Sequence, residues 1–307
     1  VLLDQKRTKR IARIFAIFTA VAFVGGGLVL ILVSAFGGPS SSTSQLISDA
    51  QATVKSQPNS VQAWDTLATA YQAANKNTQA ITAAQHALTL DPGDKTSAFT
   101  LATLYSNTGQ YTQGIAVMKS YTAQAPTDPD GWVQLGQLAD DAGQSSLAYG
   151  AYEKYLKLAP PGATPTAVRA HLPSLAKVVA AQARTTANPK NAAAWDALAA
   201  AYLNEQNLTG ALTSALKATD LAPTDAAYMN RLASVYTAAG QAAAAVGLAT
   251  QFTKRNPKVA LGYYYLGKLA VQANQKPVAK VAFEKYLQLA PAGPDAASVR
   301  SSLATLG

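Results

Sequence analysis

Proline recurs in this chain at a fixed spacing, and that spacing narrows the folds open to it. Pro58, Pro92, Pro126 and Pro160 are evenly spaced, each at i+34 from the last, and Pro189, Pro223, Pro257 and Pro291 repeat the interval. A period of this length marks stacked supersecondary units, each too small to bury its apolar face alone. With each proline set at position 32, six units begin at Val61, Lys95, Pro129, Ala192, Ala226 and Ala260. Position 7 is leucine throughout (Leu67, Leu101, Leu135, Leu198, Leu232, Leu266), and position 8 is small (Ala68, Ala102, Gly136, Ala199, Ala233, Gly267). Position 20 is also always Ala or Gly, and position 4 is bulky in five units: Trp64, Trp132, Trp195, Met229 and Tyr263. Position 11 is Tyr71, Tyr105, Tyr202 or Tyr236, with Ala139 and Ala270 in the last unit of each set of three. Positions 4, 7, 8 and 11 fall on one stripe of a first helix, and positions 20, 24 and 27 do the same on a second. Small residues at 8 and 20 let the two backbones approach. Asn75, Gly109, Gly143, Gln206, Gly240 and Asn274 occupy the turn between them, and proline stops the second helix.

A longer period lies over the first. Adding 131 to the residue number turns Trp64-Asp65-Thr66-Leu67-Ala68 into Trp195-Asp196-Ala197-Leu198-Ala199, and Glu153-Lys154-Tyr155-Leu156 into Glu284-Lys285-Tyr286-Leu287. Residues 45–175 and 176–307 are therefore two copies of one block, each with a leading helix, three full units and a trailing helix. The junction from Pro160 to Pro189 is shorter than a full period. Thr164-Pro165 looks like a helix start, and Pro173 is expected to kink or break the helix beyond it, giving two short or bent helices. The junction reads either as a hinge between two sub-solenoids or as an irregular repeat within one rod.

The residues at positions 4, 7, 8, 11, 20 and 32 make the chain from 45 to 306 resemble the tetratricopeptide repeat. The resemblance implies an all-α fold, a right-handed superhelical solenoid of antiparallel helix pairs. It also implies a concave, partner-binding groove lined by first-helix positions 2, 5, 9, 12 and 13. At matching positions the first block offers Asp65, Thr69, Gln72, Asn107, Gln137 and Asp140, and the second offers Asp196, Asn204, Asn230, Tyr264, Lys268 and Gln272. Some members of the family grip a C-terminal carboxylate with Lys and Asn on successive first helices. Asp65 and Asp196 carry the wrong sign for that clamp, so it is not expected here.

A transmembrane helix is expected ahead of the solenoid. Residues 14–36 form an uncharged apolar run, long enough to cross a bilayer as a helix. It exceeds the usual apolar core of a cleaved signal peptide, although Val33-Ser34-Ala35 would pass as a cleavage site. Lys6, Arg7, Lys9, Arg10 and Arg13 precede the run, and the first basic residue after it is Lys55. The positive-inside rule therefore keeps residues 1–13 in the cytoplasm and places the repeats outside it. Residues 37–44 read as a Gly/Ser/Pro linker. The Ala16-x-x-x-Ala20 spacing would let two such helices pack as a homodimer.

The formal charge of +9 suggests nucleic acid until it is mapped. Residues 1–13 hold five basic and one acidic side chain, residues 45–175 seven and nine, and residues 176–307 thirteen and six. The first group serves topology, and the repeats show no basic helix face with interleaved aromatics, so nucleic acid is not an expected partner. The basic stretch Lys254, Arg255, Lys258, Lys268, Lys276, Lys280 and Lys285 suits anionic lipid or an acidic partner. Cysteine is absent and the only histidines are His86 and His171, read as solvated surface. No catalytic residue, metal site or cofactor is expected. The leading expectation is a bacterial, single-pass, non-catalytic scaffold of the cell envelope that binds a protein or peptide partner. The alternative is an accessory subunit of an envelope biogenesis system such as cytochrome c maturation or cell-wall synthesis.

Overall fold

The computed structural model describes residues 43–159 and 166–306. Every element there is an α-helix: α1 (Thr43–Ser56), α2 (Val61–Ala73), α3 (Asn77–Leu90), α4 (Lys95–Asn107), α5 (Tyr111–Gln124), α6 (Pro129–Asp141), α7 (Ser145–Leu158), α8 (Thr166–Ala187), α9 (Ala192–Asn204), α10 (Leu208–Leu221), α11 (Ala226–Ala238), α12 (Ala242–Arg255), α13 (Ala260–Gln272), α14 (Lys276–Leu289) and α15 (Ala296–Leu306). Six pairs, from α2/α3 to α13/α14, correspond to the six expected units. The expected basic tail, transmembrane span at 14–36 and most of the linker lie outside the described residues. Among the described residues no helix is long and apolar enough to cross a membrane. Thr43 and Ser44, read as the end of the linker, are already helical.

By its contacts the chain divides into two units. One runs up to Ala142 and takes in Gly150–Arg169, and the other holds Gly143–Tyr149 and the chain from Ala170 on. In the first unit α2 packs on α1 and α3, and α4 on α2, α3 and α5. In the second, α9, α11 and α13 likewise pack on their own second helices and on one another in sequence.

Local chemistry sets the helix ends. Ser60, Asp94, Asp128, Asn191 and Asp225 each stand just before a first helix with a side-chain oxygen on a backbone N–H of its first turn. This satisfies one of the donors a helix start leaves orphaned. First helices end at Asn75, Gly109, Gly143, Gln206, Gly240 and Asn274, which all have φ between 56° and 80°. These are left-handed caps that reverse the chain. At Gly240 an added Cβ would meet nothing within 4 Å, so only the backbone is at stake. Gly240→Ala is expected to lower stability by about 1 kcal/mol, and Gly240→Asn by less. Equal melting temperatures for wild type and the Ala variant would contradict this.

The repeating residues are the core. All six position-7 leucines are at most 6% exposed, and the alanines at positions 8 and 20 are wholly buried. The gap between paired helices is filled by a trade between positions 8 and 24. Where position 8 is alanine, position 24 is Ala84, Met118, Ala215 or Ala249; where it is Gly136 or Gly267, the facing residue is Tyr152 or Phe283. The rings occupy the space a Cβ would take.

Two recurring hydrogen bonds tie successive units. Indole Nε1 of Trp64, Trp132 and Trp195 donates to the carbonyl of Pro58, Pro126 and Pro189 at 2.8–2.9 Å. The amides of Gln51, Gln85 and Gln182 donate to the hydroxyls of Tyr71, Tyr105 and Tyr202, at the same sequence separation in each case. Trp195→Phe keeps most of the ring and removes one bond at an accessible carbonyl. A loss of about 0.5–1.5 kcal/mol in chemical denaturation is expected.

The junction differs from its sequence reading. Two short or bent helices are expected there, yet one helix, α8, runs through Pro173. The duplication explains it. Carried across the offset between the two copies, α15 maps onto 165–175 and α1 onto 174–187. Helix α8 is thus one copy's trailing helix joined end to end to the next copy's leading helix. An internal proline loses one backbone hydrogen bond and costs about 3 kcal/mol. Leu175, Val178 and Ala181, just beyond it, are buried and hold the helix together.

Candidate partner-binding surface

Apolar positions 4, 7, 8 and 11 turn each first helix toward its neighbours, and positions 5, 9, 12 and 13 carry polar side chains in many repeats, with Phe99, Val133, Leu203 and Val271 among the exceptions. In the first unit these positions hold Asp65, Thr69, Gln72, Asn107, Gln137 and Asp140 on α2, α4 and α6. Thr69 and Asn107 are exposed, and Gln72, Gln137 and Asp140 are half-buried. Thr69 returns its hydroxyl to the carbonyl of Asp65 at 2.9 Å.

Asp65 is not free for a ligand: it is only 5% exposed. The Ser97 hydroxyl lies 2.9 and 3.0 Å from its two oxygens and 2.8 Å from Asp94 Oδ1, so one proton is shared between two carboxylates. Burial, with the charge of Asp94 adding to it, pushes the Asp65 carboxyl up to about 6 against the opposing hydrogen bond from Ser97. A protonated Asp65 can donate to Ser97 and free the serine proton for Asp94.

The first unit also holds a charged cluster that the sequence reading did not single out. Lys95 Nζ lies 3.0 Å from Asp128 and 2.7 Å from Asp130, and sits 5.5 Å above the Phe99 ring. Phe99 meets Tyr121 edge-on at 5.4 Å, and the Tyr121 hydroxyl donates to Asp128. Burial works to raise the Asp128 carboxyl, but the hydrogen bonds from Tyr121 and Lys95 hold it below the usual range. Burial and the same carboxylate push the Tyr121 phenol well up. In the second copy Lys95, Tyr121, Asp128 and Asp130 become Ala226, Phe252, Val259 and Leu261, all part of one apolar cluster. A charged network and an apolar one thus fill equivalent places, in line with the small net worth of solvent-exposed ion pairs.

In the second unit Asp196, Asn204, Asn230, Tyr264, Lys268 and Gln272 lie on α9, α11 and α13. Asn204, Lys268 and Gln272 are exposed, and the other three are half-buried. Asp196 accepts from Arg231 Nε at 3.0 Å and is therefore already neutralised. Arg231 replaces Thr100 of the first copy, where Asp65 has no cation. Lys268 and Tyr264 come together, with the ammonium 5.3 Å from the ring centroid. Tyr264 also packs against Tyr265 and Tyr286. This aromatic, cation-bearing corner of α13 is the most chemically distinctive part of the expected groove.

The partners of both aspartates were missed, although each stands on the next first helix at position 3 or 6, next to position 5 in the stack. The histidines are also more engaged than solvated surface implies. His86 stacks on Trp64 with centroids 4.4 Å apart, and His171 Nδ1 lies 3.5 Å from the Glu205 carboxylate, which also accepts from Ser174.

Stacked helix pairs that pack through small residues and display polar side chains on successive first helices define an all-helical repeat architecture. Two stretches of the chain, residues 71–136 and 230–297, match family models described as tetratricopeptide repeat. Such repeats generally mediate protein–protein interactions. Among solved structures, the chain is similar to a tetratricopeptide repeat protein from Parabacteroides merdae, at 15% identity over 86% of this chain and 92% of that one, with a TM-score of 0.37. It is also similar to yeast Tom70, at 13% identity over 86% and 58% of the two chains, with a TM-score of 0.35. The TPR2AB domain of yeast Sti1, solved in a complex with pHSP90, matches at 15% identity over 80% and 96%, with a TM-score of 0.35. No curated protein matches the chain in sequence.

Proposed function

We propose that this protein is a membrane-anchored, non-catalytic scaffold whose first-helix face binds a segment of a protein partner. The row of polar side chains on successive first helices carries the reading: Thr69, Asn107 and Gln137 in one unit, Asn204, Lys268 and Gln272 in the other. Side chains that hold the helices together point elsewhere and are buried, so this row is available to a ligand without loss of core. The apolar run at 14–36 and its basic flank supply the anchor and put the repeats on the far side of a bacterial membrane. Anchoring raises the local concentration of binding sites, so a weak groove suffices.

Photo-crosslinking residues placed at Thr69, Gln137, Asn204 and Tyr264 are expected to capture a common partner in membranes, while the same residue at Thr82 or Thr213 on second helices does not. Equal capture from both faces would overturn the assignment of the surface. A reporter fused after Gly307 is expected to be digested by protease added to intact spheroplasts, and its protection would overturn the topology.

A further inference from the structure

We infer that the second unit carries a separate docking site for an acidic amphipathic peptide segment, on the side of the second helices α12 and α14 and away from the first-helix row. A recess of about 560 Å3 opens there, floored by Leu266 and Tyr263 of α13 and walled by Pro257, Pro277, Val278 and Val281. Val281 is 67% exposed, so a large apolar side chain stands at the mouth of an apolar recess. Lys254 lines it, and Arg255, Lys258, Lys276 and Lys280 are chain neighbours of the lining residues Lys254, Pro257, Pro277 and Val281; all five are exposed. Among the described residues none of these five lies within ion-pairing distance of a carboxylate.

The duplication supplies an internal control. The equivalent positions of the first copy hold Ala123, Gln124, Thr127, Ser145 and Tyr149, with Gly150 in place of Val281. Residues 250–285 hold seven basic and one acidic side chain, whereas the equivalent residues 119–154 hold two and five. Both copies bury the same leucine, Leu266 or Leu135, so the packing of the pair does not demand the change. Five cations and one exposed valine stand at, or next in the chain to, lining positions of this recess, and the other copy has none of them. Self-repulsion among them is unfavourable, and an anionic occupant relieves it.

The shape selects the occupant. Apolar side chains line a hollow and the cations stand at, or next in the chain to, its lining positions, which fits a segment with apolar anchors on one face and carboxylates beside them. A bilayer surface is flat and would meet the rim without filling the hollow.

The test uses the full chain and a fluorescent helical peptide with Leu at i, i+3, i+4 and i+7 and Glu elsewhere. A five-site variant takes the residues of the other copy: Lys254→Ala, Arg255→Gln, Lys258→Thr, Lys276→Ser and Lys280→Tyr. These residues already sit in a folded copy of the block, and a matching helical circular-dichroism spectrum checks the fold. Binding is expected to weaken about 30-fold or more in this variant and to fall with added salt, and Val281→Asp is expected to weaken it about tenfold. A photoreactive group in the peptide is expected to mark residues 250–282. Affinity within about twofold of wild type in the five-site variant, equal affinity for a peptide with Lys in place of Glu, or crosslinks at 119–151 would each overturn the proposal. So would adsorption to phosphatidylglycerol vesicles with no peptide binding, which would assign the patch to a membrane surface. Loss of partner capture at Thr69 or Tyr264 bears on the first-helix row and leaves this site untouched.

Discussion

Gly267→Ala is expected to destabilise the second unit by about 2–3 kcal/mol, a large effect for a single methyl group. A Cβ at this position would lie 2.3 Å from Cε1 and 2.4 Å from Cδ1 of Phe283, closer than any real contact. Phe283 is 2% exposed and enclosed by its own cluster, so the ring has nowhere to go. Gly136→Ala is the parallel case in the first unit, with Tyr152 Cε1 at 2.5 Å. The repeat supplies the rescue. Three units use alanine on both sides, as Ala68/Ala84, Ala199/Ala215 and Ala233/Ala249. Phe283→Ala alone should cost about 3–5 kcal/mol through the cavity it opens. In Gly267→Ala/Phe283→Ala the methyl group occupies part of that cavity, so the pair should cost less than the sum of the singles by about 1–3 kcal/mol. Hydrogen exchange of α13 and α14 amides reads the effect locally, which matters because repeat arrays need not unfold in one step. Additive single and double effects would show that the ring and the glycine are not coupled.

Asp65→Asn is expected to stabilise the protein at neutral pH, by an amount that disappears on acidification. The folded carboxyl titrates at about 6, above its unfolded value near 3.9. A carboxyl raised on folding contributes stability fully present below its unfolded pKa and lost as pH rises through the folded one. Wild type therefore gains from this group as pH falls from 7 to 4, by at most about 3 kcal/mol. Asparagine cannot titrate, and its amide donates to Ser97 as the protonated acid would. The melting-temperature gap between Asn variant and wild type should be widest at pH 7 and closed near pH 4. Asp128 works in the other direction. Its depressed carboxyl keeps its contribution above about pH 4 and loses it only as pH falls through the lower folded value, outside the window Asp65 controls. A pH-independent gap would mean that Asp65 is charged and satisfied in the folded protein.

The buried aspartate shows where sequence reading stops. The family resemblance makes positions 5, 9 and 13 groove positions, and Thr69, Asn107 and Lys268, at positions 9 and 13, stand exposed as it implies. Asp65 and Asp196 obey the same rule of phase, yet one is buried against Ser97 and the other paired with Arg231. The period places a residue on a face, but the neighbour from the next unit decides whether that face is free there. Pro173 teaches the same lesson at the level of elements. Its local preference ends a helix, and the abutting of two copies' terminal helices overrode it.

The sequence alone determined the unit. The regular return of proline, leucine at position 7 and small residues at 8 and 20 fix helix length, helix phase and the closeness of the pair, because these depend on contacts within one unit. It also determined which six residues turn the chain, since only a left-handed cap of Gly, Asn or a tolerated Gln closes so short a connection. Tertiary structure decided the contacts between successive repeats: the shared proton at Ser97, the Lys95 cluster and its apolar counterpart, and the apolar recess that Lys254 and Val281 help to line. These contacts join residues about one period apart, so no local pattern encodes them. They arise only when one unit is stacked on the next, and two copies of the same block have filled them with different chemistry.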